Sequence, residues 1–251
     1  MFFHNTNRKK RGIKVLDNVY YFPEFEGQLD CNIYCIVDDK SEEIALFDIG
    51  NGISLKALFD GLNNLNFEPE NITKVFITHE HVDHVLGLYQ LIEKRKNNPP
   101  EIFAYGETTK ILNTGDEKQI FPDNLGIKAS MFGVDITSLE VTDITEKSKI
   151  TIFPGREFSI HYTPGHSLGS ISYYNASEKI LIPGDVVFTQ GSFGRFDFPG
   201  GSIKSLQDSI KFLSSLDVVY LLPGHMNPSK NGNRDIKASL SNISMYGSFF
   251  I

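Results

Sequence analysis

The stretch Thr78-His79-Glu80-His81-Val82-Asp83-His84 constrains this chain more than any other. Three imidazoles and two carboxylates follow directly on Val75-Phe76-Ile77, a β-branched and apolar run that reads as a strand. The next segment, Val85-Leu86-Gly87-Leu88-Tyr89-Gln90-Leu91-Ile92, reads as the start of a helix. His79 and His81 are two residues apart, so on an extended backbone they point the same way. Asp83 and His84 sit where the chain turns into the helix and can face the same point from the other side. Neutral imidazole and carboxylate are donors that Zn²⁺, Fe or Mn accept.

A lone histidine is usually a hydrogen-bonded surface or core residue, and helix starts favour acidic residues anyway. The rest of the chain argues against chance. Two of the other four histidines stand in near-identical settings, Thr163-Pro164-Gly165-His166 and Leu222-Pro223-Gly224-His225. Each is a Pro-Gly turn after an apolar or aromatic run, which puts a histidine at a strand end. Ile182-Pro183-Gly184-Asp185 does the same with a carboxylate. Four strand-end turns therefore carry one ligand chemistry.

The order H-x-H-x-D-H, Gly-His, Gly-Asp, Gly-His, running from about residue 30 to about residue 230, resembles the metallo-β-lactamase superfamily. The resemblance implies an αββα sandwich of the α/β class, with two mixed β-sheets and helices outside. It implies one metal held by His79, His81 and His166, a second by Asp83, His84 and His225, and Asp185 bridging the two. Two divalent cations are the implied cofactors, Zn²⁺ first, with Fe or Mn accepted by the same donors. Phe47-Asp48-Ile49-Gly50 resembles the family's first motif, in which an Asp supports the metal-binding loop from behind.

The chain of 251 residues is long enough for a large core, and one domain over 1–251 is expected. A net charge of −7 disfavours a polyanionic partner, and Arg8-Lys9-Lys10-Arg11 reads as a solvated tail with His4. No apolar run approaches the ~20 residues of a membrane span, and no signal peptide is visible. The spacing of Cys31 and Cys35 matches no zinc or redox signature, so both read as reduced packing residues of a cytoplasmic protein. The expected partner is a small-molecule substrate, with neither nucleic acid nor membrane; a homo-oligomer is compatible with the sequence.

Strands are expected over Ile13–Phe22, Cys31–Asp38, Glu43–Ile49, Lys74–Thr78, Glu101–Tyr105, Lys149–Phe153, Phe158–Thr163, Ser170–Asn175, Lys179–Ile182 and Val218–Leu222. Helices are expected after the cap residues Ser54 and Ser202, after the histidine cluster as far as Lys96, and around Arg234–Ile243. Residues 106–149 break every sustained period and read as an irregular insertion, with a short helix possible at Thr108–Asn113.

The resemblance implies hydrolysis at a two-metal centre, with Asp83 orienting the attacking water. An Asp at 185 resembles the glyoxalase II, ribonuclease Z and persulfide dioxygenase branches. Gly194-Arg195-Phe196-Asp197-Phe198-Pro199-Gly200-Gly201 is similar to a segment of small hydroxyacylglutathione-hydrolase-like proteins, Phe196 replacing the usual Thr. The leading expectation is a thioester hydrolase resembling glyoxalase II. The alternatives are a mononuclear-iron persulfide dioxygenase using His79, His166 and Asp185, and a phosphodiesterase of the ribonuclease Z kind. Arg195 and Asp197 are either an internal ion pair or substrate contacts. Phe193, Phe196, Phe198, Tyr246, Phe249 and Phe250 would suit an apolar substrate if they lie near the site, and His161 reads as a strand residue without a metal role.

Overall fold

The computed structural model describes residues 12–121 and 126–247; His4, the basic run 8–11, Phe249 and Phe250 lie outside them. The described residues fall into two compact units. The first runs to Ala104 and resumes over Thr109–Thr142; the second comprises Tyr105–Thr108 and the chain from Asp143 onward.

The first unit is built on a seven-stranded mixed sheet in sequential order: β1 (Ile13–Leu16), β2 (Val19–Phe22), β3 (Ile33–Val37), β4 (Ile44–Phe47), β5 (Ile72–Phe76), β6 (Glu101–Ala104) and β7 (Thr142–Asp143). The expected strand Ile13–Phe22 is two strands, because Asn18 takes a positive φ of 60° and turns the chain back on itself. Strands β1 to β4 pair antiparallel, whereas β4, β5 and β6 run parallel. Phe47 faces Phe76 and Phe76 faces Phe103, with stacked rings whose centroids lie 5.2 and 4.8 Å apart. That aromatic ladder keeps the C-terminal ends of β4 and β5 level. It matters because Asp48 follows the first and Thr78 the second.

Helix α1 (Leu55–Asn63) buries Leu55, Leu58 and Leu62, the stripe its sequence spacing predicts. Ser54 precedes it without capping it; its hydroxyl donates instead to Asp30 Oδ1 at 3.0 Å. The histidine cluster leads into α2 (Val82–Val85) and α3 (Gly87–Lys94). Residues 106–149 hold more structure than their sequence reveals: α4 (Gly106–Thr114), α5 (Glu117–Ile120), a 3₁₀ turn at Ala129–Phe132 and β7. Ile111, Leu112, Ile120, Phe121, Phe132 and Val134 join the core of the first unit, which explains how so glycine-broken a stretch forms these elements.

The second unit has a five-stranded sheet in the order β12-β11-β10-β9-β8. Its strands are β8 (Lys149–Phe153), β9 (Arg156–Tyr162), β10 (Ile171–Asn175), β11 (Ile180–Ile182) and β12 (Tyr220–Leu221). Strand β10 pairs antiparallel with both β9 and β11, and β11 pairs parallel with β12. Strands β9, β11 and β12 therefore run the same way, and all three Pro-Gly turns emerge from one end of the sheet. Helix α6 (Ile203–Leu213) is capped by Ser202, whose Oγ accepts from the Ser205 amide at 3.2 Å. With α7 (Gly232–Gly247) it covers a core of Leu206, Ile210, Leu213, Leu221, Ile236 and Ile243. Both sheets are mixed and flanked by helices, the α/β architecture expected. Among the described residues no helix is long and apolar enough to cross a membrane.

Candidate metal centre

In the first unit, His79, His81, Asp83 and His84 are all buried. The His79 ring lies 4.8 Å from that of His81 and 4.1 Å from that of His84, centroid to centroid. The short helix α2 puts Asp83 and His84 side by side, with 3.9 Å between Asp83 Oδ2 and His84 Nε2. The turn between strand and helix thus folds one hexapeptide into four inward-facing donors.

Asp48 organises them. Its backbone amide donates to Phe76 O at 2.9 Å, a consequence of the level ends of β4 and β5. Its Oδ1 accepts from the Thr78 amide at 2.8 Å, and its Oδ2 accepts from Thr78 Oγ1 at 2.8 Å and from His84 Nδ1 at 2.8 Å. A carboxylate only accepts, so the proton of His84 is on Nδ1 and the lone pair on Nε2. The Thr78 hydroxyl has spent its proton on Asp48, so at 3.1 Å it accepts from His79 Nδ1. One buried carboxylate therefore sets two imidazoles in the tautomer that offers Nε2. Asp48 holds φ at 56°, the left-handed region, a conformation costing on the order of 1 kcal/mol that the surrounding bonds sustain. The expectation that Asp48 supports the histidine loop is met, with Thr78 as the relay that sequence reasoning missed.

Cys31 was missed as a neighbour too. Its thiol, a carboxylate oxygen of Asp48 and a ring nitrogen of His84 lie within 4.8 Å of one another. Burial pushes the Cys31 thiol up to about 11 against the opposing pull of His84, so it stays a protonated packing residue. Cys35 is likewise free and buried, its thiol pushed up by desolvation. Both match the expectation.

In the second unit, His166 follows β9, Asp185 follows β11 and His225 follows β12. Asp185 Oδ2 lies 3.6 Å from His166 Nε2 and 3.1 Å from His225 Nε2. Donors at ~2.0–2.2 Å from a tetrahedral cation stand roughly 3.3–3.6 Å apart. The 3.6 Å pair has the spacing of two donors on one such cation and the 3.1 Å pair is slightly closer, and imidazole nitrogen with carboxylate oxygen suits Zn²⁺, Fe or Mn alike.

His166 Nδ1 donates to the Arg195 carbonyl at 2.7 Å, so its Nε2 also carries the lone pair. That carbonyl belongs to the loop from Gly191 to Gly201, which α7 holds from below. Asn242 Nδ2 donates to Gly191 O at 2.7 Å, and Ser239 Oγ to Ser192 O at 2.7 Å. Gly194 lies so close to the Asp185 strand end that a Cβ there would fall 1.8 Å from Asp185 O and 3.2 Å from His166 Nδ1. Gly194→Ala is expected to cost about 1–3 kcal/mol by overpacking and to weaken metal binding, since the displaced groups are Asp185 and His166. Urea unfolding and a metal titration check this; wild-type stability with wild-type affinity would refute it.

The remaining sequence candidates separate cleanly. His161 sits on β9 with its Nε2 2.8 Å from Ser159 Oγ, and burial lowers its pKa. Phe193 and Phe196 pack partly buried against the core of the second unit, Phe196 meeting Tyr246 edge to face at 6.2 Å. Arg195 and Asp197 form a two-pronged ion pair, Nε to Oδ1 at 2.9 Å and Nη2 to Oδ2 at 2.7 Å. Arg234 pairs with Asp235 at 3.2 Å.

Known proteins bear on this arrangement in three ways. The chain is 28% identical over 212 residues to "Hydroxyacylglutathione hydrolase GloC" of Haemophilus influenzae, covering 83% of this chain and 90% of that protein. It is 28% identical over 204 residues to "Probable metallo-hydrolase YqgX" of Bacillus subtilis, covering 79% and 86%. The crystal structure of the BLEG-1 B3 metallo-β-lactamase superposes with a TM-score of 0.67 at 26% identity, over 86% of this chain and 95% of that one. A family model, the metallo-beta-lactamase superfamily, matches residues 27–225, a span that includes every strand-end turn described above. By that match the chain belongs to the metallo-β-lactamase superfamily.

Proposed function

We propose that this protein is a binuclear metal-dependent hydrolase that cleaves a thioester or a related carbonyl ester. The observation that carries the reading is the tautomer control: Asp48, directly and through Thr78, and the Arg195 carbonyl each hold an imidazole with Nε2 as the donor. Arrangements of that kind orient metal ligands. In this reading His79, His81 and His166 would hold one cation, Asp83, His84 and His225 the other, and Asp185 would be shared. Bound divalent cations would supply Lewis acidity and lower the pKa of water at the site, Zn²⁺ being the first choice.

The side chains do the rest. Asp83 accepts a hydrogen bond from the attacking water at a carboxylate oxygen and directs its lone pair at the carbonyl carbon. Water adds to the carbonyl carbon as its proton passes to a carboxylate, and the C–S bond of the tetrahedral adduct then breaks to release the thiolate, which takes up that proton. The Haemophilus influenzae relative, by its name, hydrolyses a glutathione thioester, and the Bacillus subtilis relative is named a probable metallo-hydrolase. Both names support hydrolysis, and the first supports the thioester.

The test is to purify the protein without chelator, count its metals and offer it thioesters, phosphodiesters and persulfides. Two metals per chain with thioester turnover is the expected result. One iron per chain with oxygen uptake on persulfides would replace the hydrolase by a dioxygenase. Turnover confined to phosphodiesters would overturn the substrate class.

A further inference from the structure

Beside His166 the second unit presents an apolar edge that the metal-ligand scheme does not use. Leu168, two residues beyond the ligand, is 54% exposed on a turn although it is a leucine. The Phe198 ring meets the His166 ring edge to face, with centroids 6.5 Å apart. The Arg195 guanidinium lies over that same Phe198 ring, 4.2 Å from its centroid. Gly200, at φ 83°, brings the loop against this edge: a Cβ there would come within 2.8 Å of Leu168 Cγ. The turn that carries Leu168 and the loop that carries Arg195, Phe198 and Gly200 thus meet beside His166.

The charge on Arg195 is already matched. Asp197 takes both its Nε and one Nη through two parallel bonds, and that pairing holds the Asp197 carboxyl below the usual carboxylate range. A guanidinium so neutralised is a poor receptor for a substrate carboxylate, but the Arg195 side chain stays 58% exposed where it lies over Phe198. Residues Phe193 and Phe196, by contrast, are engaged with the unit's own core.

Resting on the thioester reading above, we infer that Leu168, Phe198 and the Asp197-paired Arg195 form a specificity lip selecting a substrate with a flat, uncharged hydrocarbon group beside its thioester, Arg195 acting as a stacking plate and not as an anion receptor. The lip adds contact area to a substrate that reaches past His166 and nothing to one that ends at the reacting carbonyl. It therefore sets the ratio between large and small substrates.

Two measurements test this on the metal-loaded protein. In the first, kcat/KM is compared for S-benzyl, S-(4-carboxybenzyl) and S-methyl thioacetate. The wild type should favour benzyl over methyl by about tenfold or more. Phe198→Ala and the surface variant Leu168→Ala should each cut that ratio several-fold, while Phe198→Leu should keep most of it. The 4-carboxybenzyl ester should gain nothing over the benzyl ester. A ratio unchanged in both alanine variants would overturn the lip. A wild-type preference for the carboxylated ester that vanished in Arg195→Gln would overturn the stacking role. In the second, calorimetry compares benzyl mercaptan with ethanethiol as ligands, which needs bound metal but no turnover. If no thioester is hydrolysed yet benzyl mercaptan binds more tightly and loses that advantage in Phe198→Ala, the hydrolase reading fails and the lip stands. Equal affinity of the two thiols, or an advantage that survives in Phe198→Ala, removes the lip whatever the reaction proves to be.

Discussion

Asp185→Ala is expected to empty both metal positions together and to lower hydrolysis by about a thousandfold or more, the several kcal/mol that two-metal activation supplies. Its Oδ2 lies 3.6 Å from His166 Nε2 and 3.1 Å from His225 Nε2. Under the assignment proposed above the same carboxylate is shared by both cations. Metal content by inductively coupled plasma mass spectrometry, alongside turnover, reads the outcome. A variant that kept one metal at full occupancy while losing the other would show that Asp185 is not shared. His84→Ala and His225→Ala provide the contrast, because each should deplete one position only.

Asp48 carries the second large effect. Removing its carboxylate in Asp48→Ala strands three buried donors, the His84 Nδ1–H, the Thr78 amide and the Thr78 hydroxyl, at about 1–3 kcal/mol apiece. A marginally stable fold would feel most of that sum. Asp48→Asn separates stability from tautomer. The amide oxygen can still serve the Thr78 amide, but the NH₂ takes the place of Oδ2, faces both the Thr78 hydroxyl and His84, and favours the His84 tautomer with the proton on Nε2, which cannot ligate a metal. The Asn variant should therefore unfold at a higher urea concentration than the Ala variant and still bind metal about 10–100-fold more weakly than wild type. Wild-type metal affinity in Asp48→Asn would mean that the tautomer is set by something other than Asp48.

The two results concern residues of different visibility. Asp185 could be read from its Pro-Gly turn, since a turn residue's place at a strand end is a local property. The same holds for His79, His81, Asp83, His84, His166 and His225, and for the strands that deliver them, because period-two apolar runs and Pro-Gly stops are written within a few residues. Helix α1 was legible for the same reason: Leu55, Leu58 and Leu62 recur at helical spacing. The charge bookkeeping and the two packing cysteines also needed no structure.

Contacts between residues distant in sequence were another matter. Thr78 as a relay to Asp48 depends on β4 and β5 ending level, a register set by Phe47 against Phe76 across the sheet. The Arg195 carbonyl reaches His166 across 29 residues, and no sequence period records which backbone oxygen will meet a ring nitrogen. Ser54 has the look of a helix cap, yet it caps no amide of α1, and its hydroxyl donates instead to a buried carboxylate, Asp30, 24 residues away. Residues 106–149 carry too many glycines for a sustained period, so their helices α4 and α5 owe their order to Ile111, Leu112, Ile120 and Phe121 entering the core of the first unit. Local patterning alone determined which side chains could be ligands. Tertiary packing decided which nitrogen His79, His84 and His166 offer, because tautomer is chosen by the partner on the far side of the ring.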